Sequence, residues 1–174
     1  DYPRTWGIGW SLREVDGVAF AEHGGATNGF MARLTTAPAR GFAIAVLTNG
    51  DHGSAAHGKI SDVVLERFLG IKEEPPARTA LDDASLSRFA GKYRHNLADV
   101  MLSVEDGGYR VERVARNPFS GEETVREPFR LVPVTERIFV VDGGEFDGSY
   151  AEMMLNADGG VRFVRFGGRL AYPV

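Results

Sequence analysis

The chain has 174 residues, 43% of them hydrophobic, and 24 Asp and Glu against 20 Lys and Arg for a net charge of −4, which suits one folded domain or two small ones. The basic residues are scattered singly, which excludes a nucleic-acid-binding stripe, and no apolar run approaches the roughly 18 residues that span a bilayer. Cysteine is absent, so disulfides and thiolate metal sites are excluded and the redox compartment cannot be read.

From Gly7 to Val15, "GIGWSLREV" alternates loosely, and "VAFAEH" follows the Asp16-Gly17 pair that favours a tight hairpin. "GFMARLTTAP" and "GFAIAVLTN" predict two further strands, parted by Pro38-Ala39-Arg40-Gly41. The four runs make an antiparallel meander. The strand ending at Asn49 is apolar at nearly every position, which predicts a central strand buried on both faces. After "NGDHG" the period changes: Ile60, Val64, Phe68 and Ile71 fall at helical spacing, and Val63 and Leu65 widen the stripe. Asp51 or Ser54 caps the start, and Gly70 stands where a helix end takes a left-handed residue. "KEEPPART" then reads as a linker.

Beyond the linker, "LDDASLSRFAGKY" predicts one short helix with Leu86 and Phe89 turned inward, ending at Gly91. Runs of about five to eight residues follow, divided by "DGG" at 106 to 108, "NPFSGEE" at 117 to 123, "DGGEFDGS" at 142 to 149, "ADGG" at 157 to 160 and "GG" at 167 to 168. This many short strands with tight turns predict a closed or nearly closed up-and-down barrel, with a sandwich as the alternative. The aromatics Tyr109, Phe139, Phe163 and Phe166 are expected in its core.

"HGGATNGF" at 23 to 30, followed by "MARLTTAP", "RGFAIAVLTN" and an amphipathic helix, resembles the C-terminal end of the catalytic domain in the serine beta-lactamase-like hydrolases: class C beta-lactamases, penicillin-binding proteins, related esterases and D-amino-acid peptidases. Their third active-site motif is Lys-Thr-Gly or His-x-Gly on an edge strand. The part from "LSRFAGKY" onward is similar to the lipocalin-like barrels appended to some of these hydrolases. The resemblance implies an α+β chain: residues 1–72 as an antiparallel sheet fragment plus the C-terminal helix of a beta-lactamase-like catalytic domain, 73–80 as a linker, and 81–174 as a lipocalin-like barrel.

The resemblance also assigns roles. Acyl transfer needs donors aimed at the oxygen that becomes negative in the tetrahedral intermediate, and the match gives that role to the Ala26 N–H. Gly24 and Gly25 clear the strand for substrate, with Thr27 and Asn28 beside them as substrate-binding residues. His23 stands where lysine is more usual, joining the proton network or binding a substrate carboxylate. On the residues alone, a His before Gly-Gly is more often a turn neighbour than a catalytic group. His52, His57 and His95 read as surface or turn residues, and neither a metal nor a cofactor is expected. "HGGA" also suggests the oxyanion loop of alpha/beta-hydrolases, but the chain has no G-x-S-x-G.

The family's nucleophile lies in S-x-x-K. Ser11, Ser54, Ser61, Ser85, Ser87, Ser103, Ser120 and Ser149 all lack a lysine three residues on. Nor do Tyr93, Tyr109, Tyr150 or Tyr172 begin the second motif, Tyr-x-Asn or Tyr-x-Ser. Both motifs precede the third in the family, and the chain opens without Met in strand-like sequence. The expectation is therefore a C-terminal piece of a serine hydrolase acting on amide or ester bonds of a small-molecule or peptide substrate, inactive by itself. Its partner is the N-terminal hydrolase region or a second copy of the chain. The compartment stays open between periplasm, exterior and cytoplasm. The alternative from the binding class is a lipocalin-like barrel that holds a small ligand or a partner.

Overall fold

The structure is a computed structural model that describes residues 4–27, 29–50 and 53–174. The chain divides into two compact units, Asp1–Pro75 and Pro76–Val174. In the first, β1 (Thr5–Trp6), β2 (Ser11–Val15), β3 (Val18–Thr27), β4 (Phe30–Ala37) and β5 (Phe42–Thr48) form a five-stranded antiparallel sheet in that spatial order. Asp16 and Gly17 both take positive φ, 50° and 72°, the type I′ geometry that closes the β2–β3 hairpin at the Val15–Val18 pair. A 3-10 turn over Pro38–Arg40, ended by left-handed Gly41, joins β4 to β5.

The helix α1 (Gly53–Leu69) packs against β4 and β5. It stops at Gly70, φ 68°, whose N–H donates to Glu66 O while the Ile71 N–H donates to Leu65 O. The Gly70 bond is that of the αL cap, and the turn folds Ile71 back into one buried cluster with Leu65, Val18, Phe20 and Ala37. The helix is rotated from the expected face. His57, Ser61 and Leu65, spaced four apart, are the buried stripe, while Ile60, Val63 and Phe68 are exposed, Phe68 at 72%.

In the second unit, eight strands form a closed barrel: β6 (Gly91–His95), β7 (Ala98–Glu105), β8 (Gly108–Arg116), β9 (Glu123–Pro133), β10 (Ile138–Asp142), β11 (Tyr150–Leu155), β12 (Val161–Phe166) and β13 (Arg169–Pro173). Each strand pairs with its chain neighbour, and β13 closes on β6 through Tyr172–Arg94 and Pro173–Tyr93. Asp106-Gly107 and Gly167-Gly168 make two more hairpin turns with positive φ at both central residues. The short helix α2 (Asp83–Ser87), capped by the Asp82 carboxylate on the Ser85 N–H, buries Leu86 completely. Carbonyls of the helix and of the turn after it are taken up by barrel tyrosines: Tyr109 Oη donates to Leu86 O at 2.6 Å and Tyr93 Oη to Phe89 O at 2.7 Å. Burial without a charged partner holds the Tyr93 phenol protonated, its pKa pushed up to about 12.

The α+β expectation does not hold. Among the described residues thirteen strands stand against two α-helices, so the chain is mostly β. The longer helix, expected at the end of residues 1–72, lies early in the chain at 53–69, and the chain ends on β13. The reason is the weight of the barrel, whose glycine-rich turns leave no room for helix between strands. Two further expectations change. β5 is an edge strand, and its alternate residues are open on one side, Leu47 at 76% exposure. Phe163 lies on the barrel's outer wall against Tyr172, whereas Tyr109, Phe139 and Phe166 are core. No described helix is long and apolar enough to cross a membrane.

Candidate functional site

The stretch His23–Thr27 is the far half of β3. β2 begins at Ser11, which pairs with Glu22, so the next five residues of β3 have β4 on one side and no strand on the other. Strand alternation then fixes which groups face the gap. In an antiparallel pair successive residues present their N–H and C=O to opposite neighbours, and the two-residue Asp16-Gly17 turn points those of Val18 at β2. By parity Glu22 faces β2, and Gly24 and Ala26 present their N–H and C=O groups to the open edge. His23, Gly25 and Thr27 face β4.

The side chains alternate between the two faces of the sheet. His23 stands on the face that α1 does not cover, with Leu34 opposite and Ala45 beyond it, and Gly25 follows with Ala32 and Leu47. Trp10, just before β2, sets its indole edge-on to the His23 ring, centroids 6.3 Å apart and planes at 74°. These residues line one open, mostly apolar depression with Gly9 and Gly24.

Neither glycine is demanded by the fold. Gly24 and Gly25 carry no positive φ. A Cβ on Gly25 would meet nothing within 4 Å, and one on Gly24 only the Ala32 carbonyl oxygen at 3.5 Å, an ordinary contact. Backbone freedom and interior packing therefore leave the pair unexplained. What their lack of side chains provides is access to the strand from outside.

On the helix-covered face, one residue before His23, lies a group that sequence reasoning passed over. Glu22 is 3% exposed. Its carboxylate accepts from Arg33 Nη2 at 2.9 Å, from Thr35 Oγ1 at 3.1 Å and from Arg4, and pairs with Arg13 at 3.3 Å. Burial alone would raise its pKa; the charges of Arg33, Arg4 and Arg13 and the Arg4 hydrogen bond overcome this and hold it at about 2. Arg13 lies 4.7 Å over the Phe20 ring and also pairs with Glu73 at 2.6 Å. The sequence held a signal for this cluster: in an alternating strand, Glu22 shares its parity with Val18 and Phe20.

Of the expected site residues, His23, Gly24, Gly25, Ala26 and Thr27 fall together on this edge, and Asn28 lies outside the described residues. His52 is also outside them. His57 corrects its expectation: it is a buried helix residue with Nε2 3.1 Å from Thr48 Oγ1, its pKa lowered by burial and by Arg33. His95 sits at the β6–β7 turn, where its Nδ1 accepts from the Leu97 N–H. No group of three or more His, Cys, Asp or Glu that would hold a metal ion occurs among the described residues.

No protein-family model matches the chain. Half of it is similar in sequence to a penicillin-binding protein. The relative is penicillin-binding protein 4 of Amycolatopsis lactamdurans, 32% identical over 92 residues that make up 51% of this chain and 24% of that protein. Among solved structures, SurE with D-Leu aligns over 97% of this chain and 38% of its own, with TM-score 0.65 and 20% identity, and a second SurE structure aligns over 97% and 37%, with TM-score 0.61 and 19% identity. The fold of this chain is thus found within SurE. The chain spans about a quarter of the curated relative and less than two fifths of the solved structures.

Proposed function

We propose that residues 1–72 form one wall of the acyl-transfer site of a penicillin-binding-protein-like serine hydrolase acting on amide or ester bonds, with 73–80 a linker and 81–174 a lipocalin-like accessory barrel. The observation that carries this reading is the overhang of β3: unpaired Gly24 and Ala26 beside an exposed His23, at two glycines that the fold itself does not require. Sequence similarity of half the chain to a penicillin-binding protein accords with it.

In this reading a serine from outside the chain attacks the substrate carbonyl, whose oxygen gains negative charge in the tetrahedral intermediate. The Ala26 N–H, pre-aimed by the strand, donates to that oxygen without reorganising. Gly24 and Gly25 let the substrate lie along the strand, with Thr27 and Asn28 continuing the contact. His23 joins the proton network or binds a carboxylate of the substrate. The D-Leu bound by SurE has such a carboxylate beside an apolar side chain, which supports an amino-acid-derived substrate. The barrel interior is filled by its own side chains, which favours an accessory role over ligand storage.

The test uses the full-length protein with its nucleophile. Replacing His23 with Ala is expected to lower kcat/KM by about 10²-fold or more at an unchanged melting temperature. Gly25→Val is expected to block substrate while leaving the fold intact, because its side chain enters open space. Wild-type kinetics in both variants would return "HGGATNGF" to a glycine-rich turn with no catalytic role.

A further inference from the structure

The overhanging edge poses a mechanical problem. A strand with one neighbour and two glycines in succession has the largest backbone freedom available to a strand, yet a donor works in catalysis only if held in place beforehand. The surrounding contacts solve this at one residue. Glu22 is the last residue of β3 with partners on both sides, Ser11 on β2 and Thr35 on β4. Its buried carboxylate is gripped by Arg4 ahead of β1, Arg13 of β2, and Arg33 and Thr35 of β4. Arg33 is the cross-strand partner of Gly24, so the Glu22–Arg33 pair braces diagonally over the position where Gly24 has no side chain of its own. The root of the overhang is thereby tied to the segment before β1, to β2 and to β4.

We propose that Glu22 is the positioning residue of this edge, fixing the backbone of His23–Thr27 so that the Gly24 and Ala26 donors hold their aim. This rests on the function proposed above. Glu22 touches no substrate; it lies on the opposite face from His23 and acts through the strand.

The test pairs a backbone readout with kinetics. In this 174-residue chain, amide hydrogen exchange is followed at His23, Gly25 and Thr27, whose N–H groups face β4. Glu22→Gln is compared with Leu65→Ala, which weakens the sheet unit through its apolar core without touching the carboxylate. In the full-length enzyme kcat and KM are measured for the same pair. Glu22→Gln is expected to speed exchange at the three amides by about tenfold beyond Leu65→Ala, and to lower kcat by roughly ten- to a hundredfold while KM stays within about threefold. Glu22→Asp, which keeps the charge, is expected to restore part of both effects. Thr35→Val, which removes one bond, is expected to give a smaller shift of the same kind and serves if Glu22→Gln does not fold. Exchange and kcat in Glu22→Gln that match Leu65→Ala would overturn the proposal. Faster exchange in a full-length protein without acyl-transfer activity would overturn the function and leave the bracing of the backbone in place.

Discussion

The barrel buries sixteen apolar residues in one cluster among the described residues, from Leu86 to Ala171, whereas the sheet unit gathers five, Val18, Phe20, Ala37, Leu65 and Ile71. The barrel has no open strand edge, and aromatic side chains fill it, Phe129, Phe146 and Phe166 with ring centroids 5.8 to 6.1 Å apart. Within the sheet unit both edges are open, and Leu12, Phe30 and Leu47 are exposed on the face away from α1. Its helix side holds a buried ionic cluster rather than a deep apolar core. One unit is complete in its own packing, and the other keeps apolar side chains on a face that no described element of that unit covers.

This contrast can be broken by single substitutions. The largest effect is expected in the barrel: Phe139, fully buried beside Tyr109 with ring centroids 5.3 Å apart, should cost about 3–5 kcal/mol of barrel stability when replaced by Ala. Chemical denaturation followed by tyrosine fluorescence checks it, and a loss below about 1 kcal/mol would mean that the core is not the tightly filled one described.

The next effect belongs to the sheet unit and depends on pH. Glu22 has a pKa lowered from 4.5 to about 2 in the fold, so the native state favours its ionised form. Its contribution is therefore present above pH 4.5 and is lost as pH falls towards 2, about 3 kcal/mol in all. Melting of the sheet unit, followed by tryptophan fluorescence from Trp6 and Trp10, should fall over that window, and Glu22→Gln should flatten the dependence. An unchanged acid slope in the variant would count against the ionic cluster as its source.

The smallest effect is expected where exposure is greatest. Leu47→Ser should change the stability of this chain by less than about 0.5 kcal/mol, since the side chain is mostly in solvent, while reducing self-association in sedimentation. A loss of several kcal/mol would show that the face is covered already.

The same contrast explains what could be read from the sequence. The turn chemistry was legible because it is local: Asp16-Gly17, Asp106-Gly107, Gly167-Gly168 and Gly70 adopt the positive φ their residue types suit. The barrel was legible for the same reason, its strands being separated by such turns. The placing of α1 was not. Two stripes compete on that helix, Ile60–Val64–Phe68 and His57–Ser61–Leu65, and hydrophobicity selects the first although the second faces the sheet. Apolar character marks a face suited to burial, and no described element of the sheet unit covers this one. The apolar run of β5 misled in the same way, suggesting a central strand where an edge stands. The residues of the candidate edge were legible from the "HGGATNGF" motif. Glu22 and His57 were not, because their burial depends on partners distant in sequence: Arg4, Arg13, Arg33 and Thr35 for one, Thr48 for the other.

The central claim is that this chain carries a wall of an acyl-transfer site but not its nucleophile. Intact-mass spectrometry after incubation with a fluorophosphonate or a penicillin tests it directly, run in parallel on the 174-residue chain and on the full-length protein. The account predicts no adduct on the chain and a stoichiometric adduct on the full-length protein, at a serine outside residues 1–174. A stoichiometric adduct on a serine within the chain, or an unlabelled full-length protein, would contradict it.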